Sequence, residues 1–124
     1  NNYKDIKDHY SNPNNIELIG VCEMNTQNSI PLINSTDPLP ENLFTIVSQS
    51  KYKKHPELFK ITPGVVEEEE DVNDTGRYRT IEKAMFFDKN DVVIIGSNIL
   101  NDQQPIEKTK SCASLSWYFY NRNN

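Results

Sequence analysis

Apolar positions in this chain fall into short runs, separated by stretches of asparagine, proline and charge. The run "IELIGVCEM", 16 to 24, is apolar on both parities at its centre (Leu18, Ile19, Val21, Cys22), which reads as a central strand covered on both faces. "NLFTIVSQSKYKKH", 42 to 55, spaces Leu43, Ile46 and Val47 as a helix would, but its β-branched "TIV" favours a strand. "KAMFFDKNDVVIIG", 83 to 96, has apolar runs on either side of a polar turn where Asn90 can take the left-handed conformation, and predicts a hairpin. "SCASLSWYFYN", 111 to 121, alternates Ala113, Leu115, Trp117 and Phe119 with Ser114, Ser116, Tyr118 and Tyr120. That period of two predicts a strand with the first set facing the core.

Between these runs the signals are weaker. Tyr3, Ile6 and Tyr10 form a short helical stripe that Pro13 ends, which reads as a helical turn or loosely attached arm over residues 1–15. A proline-punctuated loop from 25 to 42 holds an apolar island, "IPLI" at 30 to 33, that fits an edge strand. Pro56 suits the first position of a short helix in "HPELFK", "TPG" at 62 to 64 is a turn, and Pro105 breaks the connection from 97 to 110. The expectation is a single domain, 1–124, of the β-rich α+β class: an antiparallel sheet or small barrel of roughly five to seven short strands with one or two short helices.

Composition agrees with that bias. Alanine occurs twice, and Ile, Val, Thr, Tyr and Phe are plentiful, so propensity favours strands. Sixteen asparagines account for much of the polar character and imply long polar loops around a modest core. A net charge of −5 argues against a nucleic-acid backbone or an anionic membrane as the main partner, and no run is apolar enough for a membrane span. Cys22 and Cys112 form no CxxC motif. A disulfide between them would close a long loop, add about 4 to 5 kcal/mol by chain entropy, and favour an extracellular or periplasmic location. The sequons at Asn34 and Asn73 decide nothing, because about two arise by chance at this asparagine content.

The stretch "VVEEEEDVNDTGRYRTIE", 65 to 82, partly overlays a calcium loop starting at Asp71, with Asn73, Thr75, Gly76 and Glu82 at ligand or turn positions. Tyr78 and Arg79 stand at unsuitable positions, and "VVEEEE" lacks the apolar face of an entering helix, so no metal is expected. Glu67, Glu68, Glu69, Glu70 and Asp71 instead suggest a patch for a basic protein surface, with Lys51, Lys53, Lys54 and Lys60 as nearby counter-charges. Tyr118 and Tyr120 would form an outward aromatic surface if the last run is a strand. His9 and His55 sit in no nucleophile motif, and there is no glycine-rich phosphate loop, so neither an enzyme nor a cofactor is expected. The function these readings favour is a non-enzymatic protein-interaction module or accessory subunit, with strand addition at a sheet edge as its mode. The alternative is a small-molecule-sensing or ligand-holding β-domain, which a pocket beneath the helical cover would favour.

Overall fold

A computed structural model describes residues 17–22, 24, 39, 41–49, 51–53, 55–69 and 78–123. Among the described residues six strands and three helical segments follow in order: β1 (Leu18–Val21), β2 (Leu43–Val47), β3 (Phe59–Thr62), β4 (Val65–Val66), β5 (Arg79–Thr80), α1 (Lys83–Phe87), β6 (Val92–Val93), α2 (Ser97–Leu100) and α3 (Pro105–Asn123). The main sheet has the order β1-β2-β3-β6, and every pair in it is parallel. The small sheet, β4 with β5, is parallel too. The antiparallel sheet or small barrel is therefore corrected to an open, parallel four-stranded sheet with a two-stranded annex and helices. The physical reason lies in the short apolar runs: "LIGV", "LFTIV" and "VVIIG" are nearly continuous rather than alternating, which suits parallel strands joined by crossovers.

Two local corrections explain the change. Residues 83 to 96 are no hairpin, because the chain winds through α1, a single wide π-type turn, and then enters β6 parallel to β3. Lys89, not Asn90, takes the left-handed conformation, with φ 56°. Asn90 is buried and locks the reversal by donating from Nδ2 and its backbone N–H to the Ala84 carbonyl, at 2.8 and 3.2 Å. The final run is helix α3 rather than a strand. Cys112, Leu115, Phe119 and Tyr120 all meet one core cluster, and their spacing is helical; the alternation of 113, 115, 117 and 119 arises because serines interrupt the same segment. Pro105 starts α3 instead of breaking a loop, since the first helical position needs no N–H donor.

Other runs behave more nearly as read. Strands form within 16–24 and 42–55, although β1 lies at an edge of the sheet instead of its centre. The "HPELFK" segment yields a turn followed by strand β3 at Phe59, not a helix. Gly64 turns the chain after β3 with φ 70°, where a β-carbon would be strained. The N-terminal segment 1–15 and "IPLI" at 30–33 lie outside the described residues.

Ladder register assigns the faces. Gly20, Ile46 and Lys60 share one face, continued by Ser48, Thr62, Val93 and Ile95. Two apolar clusters pack here, one of Cys22, Leu43, Ile46, Tyr52 and Leu58, the other of Val65, Ile81, Ala84, Met85 and Cys112. Cys22 and Cys112 thus sit buried in separate clusters, and the expected disulfide is not formed. Mass spectrometry of protein alkylated after unfolding in the absence of reductant should find both thiols modified; a linked Cys22–Cys112 peptide would contradict this arrangement.

Candidate functional site

The opposite face of the main sheet carries Ile19, Val21, Thr45, Val47, Phe59, Ile61, Val92 and Ile94, again fixed by register. Ile19 is 59% exposed, Phe59 45% and Ile94 49%, whereas Ile46 and Thr62 on the covered face are both 0%. Parallel sheets bury both faces as a rule, because each crossover leaves its apolar strands in need of cover. Among the described residues one face of this sheet is covered and the other is partly exposed. Its exposed residues, Ile19 and Val21 on β1, Phe59 on β3, Val92 on β6 and Ile94 just after it, are branched or aromatic, with half-buried Thr45, Val47 and Ile61 between them, whereas Leu100 and Ile106 are single exposed hydrophobics elsewhere.

Two hollows flank this face. Near the carboxyl ends of β2, β3 and β6, Gln49, Gly64, Tyr78, Ile94, Gly96, Ser97 and Asn98 help line a cavity of about 310 Å³. Amide, hydroxyl and phenol groups converge there, and a β-carbon placed on Gly96 would meet no heavy atom within 4 Å. The second hollow is a groove of about 430 Å³ at the amino end of β6, where Phe59, Val92 and Val93 face Ala113, Ser116, Trp117 and Tyr120 of α3. Those four helical residues form a single stripe, and Trp117 stacks on Tyr120 with centroids 5.8 Å apart.

A charged lock ties the annex to the sheet. Arg79 on β5 meets Asp88, just after α1, at 2.7 Å, and Asp88 is only 5% exposed. Arg79 also donates to the hydroxyl of Thr62 on β3, and Lys83 approaches Asp88 at 3.5 Å. Asp88 thus holds Arg79 and Lys83 through its carboxylate, and the Arg79 guanidinium carries the link on to Thr62 of β3.

The acidic stretch divides. Glu67 pairs with Lys108 of α3 at 2.7 Å, accepts from the Ser111 hydroxyl, and its backbone N–H donates to Asn98 at 3.2 Å. One counter-charge is therefore on α3. Glu68 and Glu69 are exposed, while Glu70 and Asp71 lie outside the described residues, as does the calcium template from 71 to 77. Glu82 stands exposed beside α1. Among the described residues no group of three or more His, Cys, Asp or Glu could hold a metal ion. His55 sits 3.2 Å from Glu57, and Lys51 donates to the Phe87 carbonyl at 2.6 Å.

Tyr118 and Tyr120 do not form one outward platform. Tyr118 is exposed and covered by Arg122, at 5.3 Å from its ring and 2.8 Å from its hydroxyl, while Tyr120 turns toward the core cluster and Trp117. The bare sheet face escaped sequence reading because its members lie in four separate runs, and only parallel pairing places them together. The continuous apolar "VVIIG" was the available signal.

Fold and site together define an open parallel β/α unit whose strands join the sheet in chain order, with one apolar face partly exposed among the described residues. The chain matches no known family model, and no curated protein is similar to it in sequence. Among the described residues no helix is long and apolar enough to cross a membrane.

Proposed function

We propose that this chain is a protein-interaction module or accessory subunit that docks through the bare face of its parallel sheet. The observation that carries the reading is the contrast across one sheet: Ile46 and Thr62 are fully buried while Ile19, Val21, Phe59, Val92 and Ile94, in register on the other side, are exposed. Apolar surface of that kind gains roughly 25 cal/mol per Å² when covered. A photo-crosslinking amino acid placed at Val92 in cells should yield one defined adduct, with none from the exposed polar control Gln103. Absence of an adduct from Val92 would reject the reading.

The cavity at the carboxyl ends of the strands favours a second reading, a ligand-holding domain for a small polar metabolite. Ligands of open parallel sheets bind at that end, and the lining here supplies hydrogen-bonding groups of neutral type. A ligand at about 100 times its Kd would stabilise the fold by about 2.7 kcal/mol. A thermal-shift screen of polar metabolites should find such a compound, and Gly96→Val should remove its shift by filling the cavity. Unchanged shifts in that variant would place any binding elsewhere.

A further inference from the structure

We infer that the occupant of the bare face is a second copy of this chain, the two open sheets joining edge to edge into one closed ring of eight parallel strands. The inference rests on the interaction reading above and names its partner. No single chain forms such a ring.

Among the described residues β1 and β6 are the two edges, and all neighbours run parallel, so β6 of one copy set beside β1 of the other continues the same order and direction. The two-fold rotation that makes one such junction makes the other, which leaves no edge open. No third component is required.

Val21, Val47, Ile61 and Val92 stand in one row across the sheet, so β6 begins three positions further along than β1, which begins at Leu18. A closed ring of eight β/α strands has a shear of about eight, or about four in each half. The offset within one chain is thus close to what half a ring needs.

The face that would turn inward offers the branched Ile19, Val21, Thr45, Val47, Ile61, Val92 and Ile94 together with Phe59, and the interiors of such rings are packed in layers by bulky, mostly branched side chains. Outside the ring, the Trp117 and Tyr120 stripe of α3 already stands over the amino end of β6, positioned to cover the partner's β1.

A half-ring offset of about four residues sets Ile94 of one copy beside Ile19 of the other. The test uses the full chain carrying Ile19→Cys and Ile94→Cys, both at exposed positions. Mild oxidation should convert the double variant to a covalent dimer whose linked peptides contain residues 19 and 94, and neither single variant should dimerise. Sedimentation of the unmodified chain should give twice its 14.3 kDa. A covalent dimer from the single Ile94→Cys variant would mean face-to-face stacking and would overturn the ring. A monomer at every concentration would overturn the second copy as occupant; with a Val92 adduct to a different protein it would leave the interaction reading standing, and without one it would reject both.

Discussion

Asp88→Ala should destabilise the protein by about 3 to 5 kcal/mol, seen as a lower urea midpoint with an unchanged slope. The carboxylate is nearly buried, meets Arg79 at 2.7 Å, and is the only acidic partner that the described contacts give that guanidinium. Removing it leaves a cation in a partly desolvated site between β3, β5 and α1, with Thr62 as a neutral acceptor that cannot balance the charge. Breaking one side of such a pair costs more than replacing both. The double variant Arg79→Met/Asp88→Leu should therefore recover much of the loss. A single-variant loss below about 1 kcal/mol, or a double variant worse than the sum of the singles, would show that the lock does not join these segments.

Ile81→Ala should cost about 2 to 5 kcal/mol. Ile81 is fully buried, in a cluster with Val65, Ala84, Met85 and Cys112, and Leu115 and Phe119 of α3 pack against it. It is the apolar counterpart of the Asp88 lock, fastening the annex and the long helix to the covered face. The site is confined by two sheets and a helix, so collapse around the missing carbons is limited and the upper half of the range is expected. Denaturant unfolding checks it. A loss no greater than that of an exposed control such as Ile106→Ala would mean that α3 is not docked as described.

Local strand content was legible where β-branched residues cluster, as in "LFTIV" and "LIGV". Strand direction was not. A run such as "VVIIG" looks the same whether its neighbour is antiparallel and adjacent in sequence or parallel and brought in by a crossover, and the polar turn at Lys89 and Asn90 imitates a hairpin. The last helix was missed because serine at 114 and 116 gives a period of two inside a segment whose contacts, through Cys112, Leu115, Phe119 and Tyr120, have helical spacing. The disulfide failed for a topological reason, since the two cysteines belong to different clusters under different strands.

The candidate site was legible only in part. Acidic and aromatic residues announce themselves in a sequence, yet Glu67 proves to be tied to Lys108 and Tyr120 to be turned toward the core. The bare sheet face consists of ordinary aliphatic residues, each unremarkable alone. What gives them meaning is that register aligns them while the opposite parity is sealed.

Carbene footprinting of the side chains tests the docking claim most directly. In dilute isolated protein, Ile19, Val21, Val92 and Ile94 should label in proportion to their exposure, below the more exposed Leu100 and Ile106 outside this face but well above buried Ile46. In the assembled state, whether concentrated chain or cell extract, labelling of the four sheet residues should fall together while Leu100 and Ile106 stay unchanged. Equal labelling of both sets in the two states would contradict the account.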